Sequence, residues 1–81
     1  MFNAENLRTL LADRPFVPFR FILREGGAVE VPHRELVLVG RHSAIVGLLT
    51  PGATDMLCDN WATISYLSIN RIEPLTPTVP S

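Results

Sequence analysis

Hydrophobic residues near the start of this chain recur with a helical period, whereas most later ones alternate with polar residues. Three leucines fall on one side of a 3.6-residue repeat: Leu7, Leu10 and Leu11. Asn3 precedes them as a helix N-cap, and Pro15 disfavours helical geometry at the residue before it. The pattern predicts a short amphipathic helix over residues 4–13, whose apolar stripe must pack against the rest of the domain.

The later residues follow a two-residue period interrupted by turn signals, which is typical of short β-strands. From Phe19 the apolar side chains point alternately to one side, and Gly26-Gly27 predicts a two-residue hairpin turn. Pro32 lacks an N–H donor and indicates a strand edge or a bulge. Further strand-like segments are predicted over residues 36–39, 44–49 and 69–75, and over residues 56–58 and 61–66, which form one strand unless Asp59-Asn60 interrupts it.

Two of these segments carry a more specific prediction. The run over residues 36–39 is continuously apolar, which is typical of a strand covered on both faces. Gly47 interrupts another apolar run and indicates a bulge or a close approach of another group. Residues 50–55 are rich in turn formers and predict a loop.

The order of elements predicts a mainly β domain. An N-terminal α-helix is followed by a five-stranded, strongly bent antiparallel sheet or small barrel of the Sm-like or SH3-like type. Closure is favoured because an open sheet of these apolar strands would leave an aggregation-prone edge. Residues 1–75 are expected to form this single domain, and residues 76–81 a disordered or extended tail containing proline.

The composition indicates an association surface. Hydrophobic residues make up 47% of the 81 residues and charged residues 19%, although a domain this short buries only about 60% of its unfolded surface. We therefore expect part of the apolar surface to meet another copy in a homo-oligomer. The alternative is that a helix packed on a barrel absorbs all of it.

Charge and cysteine content limit the classes of partner and compartment. A net charge of −1 provides no global field for attracting nucleic acid or an anionic membrane. No apolar run approaches the length of about 18 residues that a membrane span needs. Cys58 is the sole cysteine, so neither an intramolecular disulfide nor a Cys-based zinc site can form. These features predict a soluble protein in a reducing cytoplasm.

Three segments resemble a family of short uncharacterised bacterial proteins. Residues 15–20 read Pro-Phe-Val-Pro-Phe-Arg, residues 31–36 read Val-Pro-His-Arg-Glu-Leu, and residues 69–75 read Ile-Asn-Arg-Ile-Glu-Pro-Leu. The shared pattern is Pro-Phe-x-Pro-Phe-Arg, a glycine-containing hairpin and a closing Arg-Ile-Glu-Pro. This resemblance implies a helix followed by strands and brings no established activity. Residues 50–60 are longer here than in that family.

A second resemblance, in architecture more than in motif, is to Sm-like and Hfq-like small β-barrels. Residues 68–74 are similar in apolar spacing to the segment that closes the barrel in those proteins. The resemblance implies a ring of subunits that holds RNA at two turns, which here would be Arg41-His42 and Asn70-Arg71. The alternative is that Arg41 and His42 are solvated turn residues and that Arg71 pairs with Glu73. The chain departs from the pattern at residues 65–67, which read Ser-Tyr-Leu instead of Tyr-Lys-His.

The last strands provide candidates for an oligomer interface. These are Trp61, Ile64 and Tyr66. Trp61 follows a predicted loop, where a large amphipathic ring often anchors an interface, and the sequence leaves a core or an interface position equally open for it. The neighbouring aromatic residues Phe19 and Phe21 are predicted to be core residues.

No motif in the chain indicates catalysis. The spacing of His33, His42 and Cys58 matches no zinc site, and Gly26-Gly27 leads into a strand where a phosphate-binding loop would lead into a helix. We therefore expect no enzyme activity, no cofactor and no small-molecule substrate. The leading hypothesis is a non-enzymatic, self-associating small β-barrel that acts as an interaction module. The alternative is a Sm-like homo-oligomeric ring that binds single-stranded RNA.

Overall fold

The computed structural model describes residues 2–49, 58 and 60–75 of the chain. In that part the protein has one α-helix followed by six short strands. The elements are α1 (Ala4–Ala12), β1 (Phe19–Leu23), β2 (Ala28–Val31), β3 (Val37–Val39), β4 (Ser43–Leu48), β5 (Asn60–Ser65) and β6 (Ile69–Pro74), with 3-10 turns over Arg34–Leu36 and Tyr66–Ser68. The predicted mainly β class with one N-terminal helix is confirmed.

Some predictions lie outside the described residues. These are the loop over residues 50–55, the strand over residues 56–58 except its last residue, and the tail over residues 76–81.

Reciprocal capping begins α1. The side chain of Asn3 accepts a 2.9 Å hydrogen bond from the backbone N–H of Asn6, and the Asn6 side chain accepts one of 3.0 Å from the Asn3 N–H. Two backbone donors at the helix start are thereby satisfied. Leu7 is fully buried, so the predicted apolar stripe does attach the helix to the domain.

The strands form two antiparallel sheets of three strands each, and the predicted five-stranded barrel is wrong in that respect. Sheet A has the order β2-β1-β6, and sheet B has the order β3-β4-β5. At Pro32, which the sequence indicates as a strand edge or a bulge, β2 has just ended, because proline cannot donate to the ladder, and the chain then enters the turn over Arg34–Leu36. Within the described residues, β2 and β3 belong to different sheets and no closed barrel forms.

The core lies between the inward faces of the two sheets and is covered by α1. Its members are buried apolar side chains: Leu7, Phe19, Phe21, Val31, Ala44, Val46, Ile64, Tyr66 and Ile69. Phe19 and Phe21 meet edge to face, with 5.3 Å between ring centroids. Their predicted place in the core is confirmed.

The hairpin between β1 and β2 contains the two predicted glycines, but they do not lie at the centre of its turn. Gly26 and Gly27 have φ angles of +99° and +91°, which are favourable for glycine. The N–H of Gly26 donates a 3.0 Å hydrogen bond to the carbonyl of Leu23, so Arg24 and Glu25 occupy the centre of the turn. The glycines complete the turn and lead into β2.

Candidate interaction surface

The outward side of sheet B carries a contiguous apolar surface. In the register of the sheet, Leu38 on β3 lies opposite Ile45 on β4, and Gly47 on β4 lies opposite Trp61 on β5. Their neighbours along β4, including Val46, are buried between the sheets, so the two-residue period turns Ile45 and Gly47 away from the core. We call Leu38, Ile45, Gly47 and Trp61 the apolar face.

The apolar face is exposed to an unusual degree for such residues. Leu38 is 69% exposed, Trp61 67% and Ile45 38%. The prediction that residues 36–39 are covered on both faces is therefore wrong for this chain, because β3 is an edge strand of sheet B and Leu38 points away from the core. Trp61, for which the sequence left two positions open, lies on the surface.

A groove of about 540 Å³ runs along the apolar face. It is lined by Glu35, Leu36, Leu38, Ile45, Gly47, Cys58 and Trp61. Gly47 lies on its floor, where the side chain of Cys58 packs against the glycine backbone, since a Cβ atom there would lie 2.8 Å from the Sγ atom of Cys58. The predicted close approach at Gly47 is thus confirmed, whereas the strand register continues through it without a bulge. Glu35 is the one charged residue among these lining residues.

The other two interface candidates lie inside the protomer. Ile64 and Tyr66 are each 4% exposed and belong to the core. Both therefore offer little surface to a second chain. A signal in the sequence separates them from Trp61, since a two-residue period places Trp61 on one face of β5 and Ile64 on the other.

The outward side of sheet A is charged. Arg20 on β1 lies opposite Glu30 on β2 and Glu73 on β6. Arg71 forms an ion pair with Glu73 at 2.7 Å between partly exposed side chains. Asn70 lies where the register of β1 and β6 shifts, at an irregularity next to Arg71. The pairing of Arg71 with Glu73 was one of the two interpretations that the sequence allowed.

A second hollow, of about 350 Å³, lies beside the turn between β3 and β4. It is lined by Phe2, Asn3, Arg41, His42, Ser65, Tyr66 and Leu67. In the part of the chain that the structure describes, the side chains of Arg41 and His42 make no hydrogen bond or ion pair. We call this surface the basic hollow. Neither Asn70 nor Arg71 lines it, so the structure places the four candidate RNA-binding residues in two separate regions.

Tyr66 fixes the wall of the basic hollow. Its hydroxyl donates a 2.7 Å hydrogen bond to the carbonyl oxygen of Gly40, and its backbone N–H donates to the carbonyl of His42 at 3.1 Å. Burial raises the pKa of the Tyr66 hydroxyl above its ordinary value of 10.0, because a phenolate there would lose hydration. Tyr66 therefore holds the turn as a neutral donor.

The described residues form neither a metal-ligand cluster nor a helix that could span a membrane. No three His, Cys, Asp or Glu side chains among them come together as metal ligands. Of the helices in that part, none is long and apolar enough to cross a membrane.

Comparisons of the chain with family models, with curated proteins and with solved structures gave no match.

Proposed function

We propose that this protein is a non-enzymatic interaction module that self-associates through the apolar face. The observation that carries the proposal is that Leu38 and Trp61, each about two thirds exposed, lie on the same side of one sheet. Burying such a side chain fully is favourable by about 1.5–3 kcal/mol. Contiguous apolar patches on small proteins mark interaction sites more often than isolated apolar residues do.

Elsewhere in the described residues, no two apolar side chains as exposed as Leu38 and Trp61 lie on one sheet face. Sheet A presents charged side chains on its outward side, and the other strongly exposed apolar residues, Val17 and Leu67, lie outside sheet B. Leu67 is 63% exposed and lines the basic hollow. It is therefore a matched control for Leu38, since the same substitution changes the same kind of side chain at a similar exposure.

The test compares Leu38→Lys with Leu67→Lys. We expect the unaltered chain to associate in the micromolar range, Leu38→Lys to remain monomeric and Leu67→Lys to associate like the unaltered chain. Sedimentation velocity and native mass spectrometry measure this, and circular dichroism verifies that each variant folds. A monomeric unaltered chain, or equal effects of the two lysines, would contradict the proposal.

Single-stranded RNA binding at the basic hollow is a second candidate function. It is favoured by the uncommitted side chains of Arg41 and His42 beside the ring of Phe2, since single strands are held by basic groups combined with aromatic stacking surfaces. No acidic residue is among those that line the hollow. A phosphate would therefore meet positive charge there without an opposing carboxylate in the lining.

The test of this candidate compares Arg41→Ala with Arg14→Ala in fluorescence anisotropy with a short single-stranded RNA. Arg14 is an exposed arginine near the end of α1 that does not line the hollow. Arg41→Ala should weaken binding and reduce the salt slope by about 1, because one phosphate contact is lost. Arg14→Ala should change neither. Absence of binding at low salt would remove this function from consideration.

A further inference from the structure

We propose that the apolar face pairs with the same face of a second copy of this chain, across a two-fold axis that passes beside Ile45. This inference deepens the proposed self-association and rests on it. In a two-fold interface the same patch contributes from both copies, and a residue on the axis meets its own counterpart. The position of the axis, the occupant of the groove and the strength of the dimer follow from the geometry of sheet B.

Ile45 lies at the centre of the outward side of sheet B. β4 is the middle strand of the sheet, and Ile45 is the middle one of its outward residues, between Ser43 and Gly47. Leu38 and Thr63 flank it on the two neighbouring strands. A second copy that covers the whole face must therefore place its own Ile45 near this one.

The charge of the face favours a second copy as the occupant. The outward positions of β4 and β5 are Ser43, Ile45, Gly47, Trp61, Thr63 and Ser65, all of them uncharged, and Leu38 completes the face on β3. Two-fold pairing brings like groups together near the axis, which is unfavourable wherever those groups carry charge. Sheet B avoids this repulsion, whereas the outward side of sheet A would place charged residues near such an axis. Glu35 lies in the turn before β3, outside the three strands.

The face also carries a protrusion and a recess that can fill each other. Trp61 projects from β5 directly opposite Gly47, and the groove that both residues line extends to Glu35 and Leu36 in the turn before β3. In a two-fold pair, the indole of each copy enters the groove of the other. Tryptophan is among the residues that most often dominate interface energies when they fill such a pocket.

The size of the face sets the strength of the dimer. Strands about 4.8 Å apart and a rise of about 3.3 Å per residue, with six residues in β4, six in β5 and three in β3, give a footprint of roughly 240 Å² per copy. A standard stable interface buries about 800 Å² per partner. We therefore expect a reversible dimer that dissociates in the micromolar range, in contrast to an obligate one.

The decisive experiment uses opposite charges at position 45. Ile45→Glu and Ile45→Lys should each be monomeric, because two-fold pairing would bring like charges together, and an equimolar mixture should form a heterodimer, measured by native mass spectrometry. Only a face that meets itself near position 45 gives this recovery. Ile45 is partly exposed, and circular dichroism monitors folding. If these variants do not fold, the same pair of charges at exposed Thr63, adjacent to the axis, replaces them.

The outcomes separate the two proposals. Recovery in the mixture supports the two-fold pair. If the unaltered chain associates but the mixture does not recover, or if either single variant still associates, the two-fold pair is wrong while self-association stands. A monomeric unaltered chain overturns both.

Trp61 supplies an independent readout because it is the only tryptophan in the chain. As concentration rises through the association range, its fluorescence emission should move to shorter wavelength as the indole leaves water. The Ile45→Glu variant should show no such shift over the same range. Association of the unaltered chain without an emission change would show that the indole does not enter the groove.

Discussion

Tyr66 makes three stabilising contacts, two through its side chain and one through its backbone. Its ring packs in the core with 5.7 Å between its centroid and that of Phe2, its hydroxyl donates to Gly40, and its backbone N–H donates to His42. The sequence suggested an interface position because Tyr66 lies at the end of one of the last predicted strands, which were expected to meet a neighbouring subunit. Its partner is a carbonyl 26 residues earlier in the chain, and the sequence contains no signal for a hydrogen bond across that separation. This distant hydrogen bond could therefore not be predicted from the sequence.

The Tyr66 hydroxyl leads to a prediction for stability against pH. Because its pKa is raised in the folded protein, the unfolded chain ionises first, and the free energy of unfolding should fall as pH rises above about 10. Tyr66→Phe should lower the free energy of unfolding by about 0.5–1.5 kcal/mol at neutral pH and remove this alkaline loss.

Urea denaturation of both proteins between neutral and alkaline pH measures the difference. Tyr66 is the only tyrosine, so tyrosinate absorbance reports its ionisation without overlap from another tyrosine. A difference between the two proteins that stays constant above pH 10 would contradict the assigned pKa direction.

Some elements of this fold were predicted more accurately than others, because only some of them are determined by signals within a few neighbouring residues. α1 begins where its cap predicts, and β1 begins at Phe19 as the alternation indicates, because capping and period are encoded within a few residues. The division of the sheet at Pro32 was only half predicted. Proline predicts an interruption, but whether the chain resumes in the same sheet is decided by the pairing of β3 with β4, the next strand along the chain, and not by the residues around Pro32.

The apolar face could be predicted in part from its elements. The sequence identified Trp61 as an interface candidate and Gly47 as a close approach, but it did not identify Leu38. An apolar run of this length suits a buried strand and an edge strand equally, and the position of β3 at the edge of sheet B decides between them. The apolar composition of β3 could be predicted from the sequence, whereas its position at the edge of sheet B could not.

The whole molecule has two outward sheet surfaces of opposite character. Sheet A presents Arg20, Glu30, Arg71 and Glu73, and sheet B presents the apolar face. The basic hollow is a third surface, beside the turn that contains Arg41. Association through sheet B and anion binding at the hollow should therefore respond differently to solution conditions, since one depends on apolar burial and the other on charge.

Ionic strength should distinguish the apolar face from the basic hollow. Because the apolar face carries no charged residue, sodium chloride should not weaken the dimer, and sulfate should strengthen it by favouring apolar burial. The matched control is the heterodimer of Ile45→Glu with Ile45→Lys, which should weaken as salt screens its opposite charges. RNA binding at the basic hollow should weaken too, because phosphate contacts release counterions. Sedimentation equilibrium over a range of salt concentrations measures both dimers. Dissociation of the unaltered dimer by sodium chloride would contradict the prediction, because it would show that charged groups outside the apolar face hold the dimer together.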